Sequence, residues 1–240
     1  MNLDVKQIRF ICNNEFEPNR YERLNRMIDS YGLNREIIKF DCATWKHTIT
    51  DEIYNKYVKT PLNTRLPWIK RKYQRKADLS LILNYLYNLE DIERNFTDGI
   101  FIIFESDVQF NKNFVELPKL INTLKDNYGY WDIVHIGYSA TGDNWNNNFI
   151  EDITNSNDSI RLKLGTADRC TDSHIFSMNG IKKMLEYYRT NTNYYIPIDY
   201  YFKDYIDNNS NFKYYLSYPS LTFQMSNLKL DKSTIQDDND

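Results

Sequence analysis

Long apolar runs are missing from this sequence: no segment approaches the roughly 20 consecutive apolar residues that a membrane-spanning helix needs. Residues 1–9 are polar and hold no apolar stretch of the kind found in a secretory leader, so a cytoplasmic protein without signal peptide or transmembrane segment is expected. Cysteine is scarce as well. Cys12, Cys42 and Cys170 are too few and too scattered for a disulfide framework or a Cys-x-x-Cys metal site, and read as reduced structural thiols. Positive charge is not in excess: 30 Lys and Arg against 33 Asp and Glu give a formal net charge of -3. The broad basic footprint of a dedicated nucleic-acid binder is absent, which argues against DNA or RNA as a principal partner. There is no internal repeat, and with 41% hydrophobic and 26% charged residues the chain is neither fibrous nor wholly disordered. Glycosylation-type triplets begin at Asn95, Asn157 and Asn208; without an export signal they read as chance matches in an Asn-rich chain.

Aromatic residues are abundant, with 20 Tyr and 13 Phe. AT-rich codons explain that bias first, and stacking surfaces for sugars second. The 240 residues suit one domain over 1–230, followed by an acidic, disordered tail at 231–240. Residues 7–12 form a short apolar run that ends at Asn13 and Asn14, the pattern of a buried strand. Tyr21, Leu24, Ile28 and Tyr31 then share a helical face with Gly32 placed to stop it, and residues 36–40 read as a second strand. This strand-helix-strand opening predicts an α/β domain. Leu79, Ile82, Leu83, Leu86 and Leu89 recur at core-helix spacing, and residues 100–104 and 133–136 are unbroken apolar runs of strands covered on both faces. Phe114, Leu117, Ile121 and Leu124 predict a crossover helix between them. Residues 180–188 read as helix and 144–159 as an Asn/Asp-rich loop. The basic run Lys70, Arg71, Lys72, Arg75 and Lys76 is a solvated helix face or a rim that attracts diphosphate.

Glu105-Ser106-Asp107 carries the most chemistry, because it follows a buried strand and open α/β sheets bind ligands just outside their carboxyl ends. Two carboxylates there repel unless a cation joins them, and Mg²⁺ or Mn²⁺ with a nucleotide diphosphate would supply it. Acidic residues also follow strands simply as turn formers.

Residues 103–108, Ile-Phe-Glu-Ser-Asp-Val, resemble the Leu-Glu-Asp-Asp-Val/Ala motif of glycosyltransferase family 25, the lipopolysaccharide and collagen galactosyltransferase family. Further landmarks follow in that family's order. Ala77-Asp78-Leu79-Ser80 resembles its Cys-x-Leu-Ser-His helix start, and Trp131-Asp132-Ile133-Val134-His135-Ile136-Gly137 its Trp-Asp strand. Ser173-His174-Ile175-Phe176-Ser177-Met178-Asn179-Gly180 resembles its Ala-Tyr-x-Ile-Ser-x-x-Gly segment, and Pro197-Ile198-Asp199 its Pro-x-Asp. Tyr218-Pro219-Ser220-Leu221, Gln224 and Ser226 resemble its closing elements. The set spans residues 8–228; no single element is specific, and the ordered set is. The amino end fits loosely through Cys12-Asn13, Arg20 and Asp41-Cys42-Ala43. Ser106 stands for the middle Asp, Leu81 for a His, Gln74 for a frequent Glu and Asn227 for the final Asp; these departures bear on rate, metal affinity and donor choice.

The resemblance implies a GT-A type α/β/α sandwich with a mixed, mainly parallel sheet. It implies a metal-assisted, inverting transfer of galactose or glucose from a UDP-sugar to a glycan, lipopolysaccharide-like or protein acceptor. Asp107, with Glu105 second, would hold Mn²⁺ or Mg²⁺. Asp199, or else Asp172, would be the general base, although Asp199 also suits a helix N-cap. Arg20, Asn13, Ser80, Ser106, His174 and Gln224 would contact the donor; for Arg20 a surface role and for Ser80 a packing role are the plainer alternatives. His135, inside an apolar strand, reads as a core histidine. Tyr194, Tyr195, Tyr200, Tyr201 and Tyr205 suit either an acceptor-stacking surface or a half-buried helix face. The competing classes are a binding or scaffolding protein descended from such an enzyme, and a metal-dependent nuclease or phosphatase, for which no converging two-metal ligand set can be assembled.

Overall fold

The computed structural model describes residues 1, 3–62, 72–137, 160–165, 171–194, 196–226 and 230. Cys170, Lys70, Arg71, Tyr195, Asn227, the Asn-rich segment 144–159 and the acidic tail lie outside them. The chain runs β1 (Gln7–Ile11), α1 (Pro18–Ser30), β2 (Ile38–Phe40), α2 (Asp51–Tyr57), α3 (Lys76–Asn95), β3 (Ile100–Glu105) and β4 (Val108–Phe110). It continues through α4 (Leu117–Asp126), β5 (Ile133–His135), β6 (Arg161–Leu164), β7 (Ser173–Ser177), α5 (Met178–Thr190), α6 (Ile198–Asn208), β8 (Tyr214–Tyr218) and β9 (Thr222–Gln224).

Seven strands form one sheet in the order β2-β1-β3-β7-β5-β8-β6, and β4 pairs with β9 in a separate ribbon. The β1–β2, β1–β3 and β5–β8 junctions are parallel. The β3–β7, β5–β7 and β6–β8 junctions are antiparallel. The sheet is therefore mixed, as expected, but evenly split rather than mainly parallel. The cause is β7, which inserts antiparallel between β3 and β5; α4 still crosses over between those two co-directional strands, though they are not neighbours.

Alternating side chains of β3 go to two cores. Phe101 and Ile103 pack with residues of α3, α5 and α6, while Ile100, Ile102 and Phe104 pack with residues of α1 and α4. Helices thus cover both faces of the sheet. Leu79, Ile82, Leu83, Leu86 and Leu89 of α3 are all buried, in keeping with their spacing. Pro18 opens α1 at a position where its missing N–H costs nothing. Gly32 follows the end of α1 with φ +59, a left-handed conformation that an L side chain rarely adopts. At α5, Ser177 caps the helix by accepting from the Gly180 N–H at 3.0 Å. Gly180 itself lets the helix lie against the entry to β5: a Cβ there would come within 2.2 Å of the Asp132 carbonyl oxygen. Asp132 is buried and holds that junction, accepting from Asn179 Nδ2 at 2.7 Å, Lys183 Nζ at 2.7 Å and the Lys213 N–H at 2.8 Å. Among the described residues no helix is long and apolar enough to cross a membrane.

Candidate functional site

The carboxyl ends of β1, β2 and β3 point the same way because these strands are parallel, and the antiparallel β7 starts at that edge. Backbone pairing carries the edge one residue further, since the Glu105 N–H donates to the Asp172 carbonyl at 2.9 Å. The turn from β3 into β4 then presents Glu105, Ser106 and Asp107, all buried. Asp107 is fixed from the β9 side: Ser226 Oγ donates to Oδ2 at 2.5 Å and Gln224 Nε2 to Oδ1 at 3.4 Å. Glu105 accepts a short hydrogen bond from Thr171 Oγ1, which also lies 3.3 Å from Asp199 Oδ1.

Burial and mutual repulsion dominate the electrostatics. Burial, then the neighbouring Asp107 charge, push the Glu105 carboxyl well above the ordinary carboxylate range. Burial also raises Asp107, against the opposing Ser226 hydrogen bond and Arg20 charge. Asp199 is pushed up to about 7, mainly by burial, with the Thr171 hydrogen bond opposing and Asp78 adding to the rise. Such a carboxylate is suited to proton exchange near neutral pH.

Above these carboxylates lies a solvent-open cavity of about 60 Å³. Of the candidate residues, Arg20, Ser80, Glu105, Ser106, Asp107 and Gln224 line it together. Arg20 is buried, with its guanidinium 3.0 Å from Glu17 Oε1 and 2.9 Å from Ser106 Oγ. The Ser80 hydroxyl lies 3.2 Å from Thr44 Oγ1, so it tethers the loop after β2 as well as facing the cavity.

Four candidates sit elsewhere. Asn13 Oδ1 accepts from the Glu15 and Phe16 N–H groups at 2.9 and 3.1 Å, so the side chain shapes the turn into α1 instead of reaching the cavity. His174 lies in the sheet interior, stacked on Phe202 at 5.1 Å and 3.2 Å from Tyr214 Oη, and burial keeps its pKa well below the ordinary histidine value. Its position in β7, paired with Ile103 of β3, turns the ring into the core beside Tyr85 and Phe202, and it does not line the cavity. Asp172 is fully buried: Oδ1 lies 3.2 Å from His135 Nε2, and Oδ2 accepts from Ser173 Oγ at 2.9 Å. That network holds Asp172 in the interior, and His135 is a core residue as read from sequence, with Nε2 on Asp172 and Nδ1 buried without a partner among the described residues. Asp199 lies in the first turn of α6, where Pro197 occupies the N-cap position, so the capping alternative does not hold. Its link to the cavity runs through Thr171. Of the tyrosines, Tyr194, Tyr201 and Tyr205 are buried, which favours packing for them; Tyr200 is half-buried.

Sequence reasoning missed Glu17, Trp45 and Lys46, which also line the cavity. Trp45 stacks on the exposed Phe16 ring at 5.5 Å with an interplanar angle of 9°. Cys42 lines the cavity too, but burial pushes its thiol up to about 12, and Cys12 likewise, so both stay protonated. Among the described residues no three of His, Cys, Asp or Glu converge to hold a metal ion by themselves. No protein-family model matches this chain, and the search of curated proteins gave no match.

Proposed function

We propose that this protein is a hexosyltransferase that moves galactose or glucose from a UDP-sugar to a glycan, lipopolysaccharide-like or protein acceptor, in a GT-A-like fold. The observation that carries this reading is the pair Glu105 and Asp107 at the floor of a cavity outside the carboxyl end of a buried parallel strand, with Arg20 on its wall. The ordered motifs resembling glycosyltransferase family 25 support it independently.

A divalent cation fits the donor set: two buried carboxylates offer hard oxygen ligands, and burial raises the pKa of both, a strain that a cation between them would relieve. Two such carboxylates, with no third ligand converging among the described residues, suit Mg²⁺ or Mn²⁺, which take the rest of their shell from substrate phosphates and water. When bound, the ion would offset charge building on the departing diphosphate. Asp107 and Glu105 would hold it, with Gln224 and Ser226 fixing the Asp107 orientation. Arg20 suits bidentate contact with a phosphate. Asp199 is the proposed base for the acceptor hydroxyl, with a proton affinity in the useful range and a position one hydroxyl away from Glu105.

A non-catalytic descendant that binds without transfer is the second reading. It is favoured by the hydrogen bond that each Asp107 oxygen already accepts, from Gln224 and from Ser226. Incubation with a panel of UDP-sugars and Mn²⁺ separates the two. Release of UDP, hydrolytic or acceptor-dependent, supports transfer, whereas binding with no release from any donor supports the descendant.

A further inference from the structure

Glu17 occupies the N-cap position of α1, yet its side chain makes no capping bond to the helix. It turns instead into the cavity, where it closes a ring of three hydrogen bonds. Arg20 Nη1 donates to Glu17 Oε1 at 3.0 Å and to Ser106 Oγ at 2.9 Å, and Ser106 Oγ donates to the same Glu17 oxygen at 2.8 Å. All three groups are buried and all three line the cavity beside Asp107. A helix-capping carboxylate ordinarily serves the backbone N–H groups of the first turn. Here that position is given up.

We infer that Glu17 is a positioning residue that holds the Arg20 guanidinium away from Asp107, and so keeps Asp107 open to a divalent cation carrying a nucleoside diphosphate. The inference rests on the metal-assisted donor site proposed above. A buried guanidinium takes whichever carboxylate is within reach, and the Arg20 charge already acts on Asp107. Without the Glu17 charge, Asp107 and Glu105 are the buried carboxylates left in the same cavity to receive it, and a fixed cation on either repels a second one. Ser106 completes the holder: its hydroxyl joins guanidinium and carboxylate, which an acidic side chain in that place could not do without setting two carboxylates against each other.

The test is the ratio of the UDP dissociation constant in EDTA to that in Mn²⁺, measured calorimetrically on the full chain. This ratio isolates the metal's contribution from any direct contact between Arg20 and phosphate. For Glu17→Gln the ratio is expected to fall by about tenfold or more, from the strength of a like-charge contact in a partly dry site. For the double variant Glu17→Gln, Arg20→Met it is expected to recover towards the wild-type ratio even though UDP binds less tightly overall. Circular-dichroism melts show that each variant is folded before its ratio is read. A wild-type ratio of one would remove the metal-assisted donor site itself. A wild-type ratio well above one that Glu17→Gln leaves unchanged overturns the role of Glu17 alone. A ratio lost in both folded variants also overturns it, because Glu17 would then be a ligand and not a holder of Arg20.

Discussion

Replacing Asp199 with Asn tests the buried-acid cluster through folding stability, independently of any substrate. The Asp199 carboxyl is pushed from an ordinary 3.8 up to about 7, mainly by burial. Below the lower value it is protonated in both folded and unfolded chains, and its contribution to stability is intact. As pH rises towards about 7 the unfolded chain releases the proton and the folded chain keeps it, so the folded state loses ground; above about 7 the loss is complete. About three units correspond to a ceiling of about 4 kcal/mol, and water reaching the half-buried group should bring the effect nearer about 2 kcal/mol. Asn mimics the protonated carboxyl and has no such loss. Urea unfolding of the wild type and Asp199→Asn in EDTA, at pH 4.5 and pH 8, should therefore show the variant gaining about 2 kcal/mol relative to the wild type between the two. A difference that is flat with pH, or that runs the other way, would refute the placement of a strained carboxylate at this position.

Two further predictions concern the frame that holds the site. Asp132→Ala leaves the Lys183 ammonium, the Asn179 amide and the Lys213 N–H without their acceptor, and should cost about 3 kcal/mol in urea unfolding; a loss under about 1 kcal/mol would contradict the structural role given to Asp132. Gly180→Ala drives a methyl group into the Asp132 carbonyl oxygen, 2.2 Å away, and should cost about 3 kcal/mol through displacement of α5. Its signature is a lowered melting midpoint, and an unchanged midpoint would show that the helix has room to shift.

The parts of the fold that were legible in the sequence are those with a local signal. The 7–12 apolar run became β1 at Gln7–Ile11, and the expected strand at 36–40 became a turn of 3-10 helix with β2 confined to Ile38–Phe40. The 180–188 helix is longer at both ends, Met178–Thr190, because Ser177 supplies a cap that hydrophobic spacing does not register. What could not be read was partnership between distant segments. Ser173-His-Ile-Phe-Ser177 carries no local mark of direction, and its insertion antiparallel between β3 and β5 is decided by tertiary packing; that insertion is also what turns His174 into the core. The acidic triplet was legible because it directly follows an apolar strand. Glu17 and Thr171 were not, since each reaches the acidic triplet through a hydrogen bond with a residue more than sixty positions away. The nearest local hint for Glu17 was its place immediately before Pro18, which marks a helix start and says nothing of a side chain turned away from it.

The most direct test of the donor site is calorimetric titration of UDP into the wild type and into Asp107→Ala, each with Mn²⁺ and with EDTA. The account predicts binding by the wild type that is strengthened by Mn²⁺, and loss of that strengthening by about tenfold or more in Asp107→Ala. No UDP binding by the folded wild type under either condition, or Mn²⁺-dependent binding that Asp107→Ala leaves intact, would contradict it.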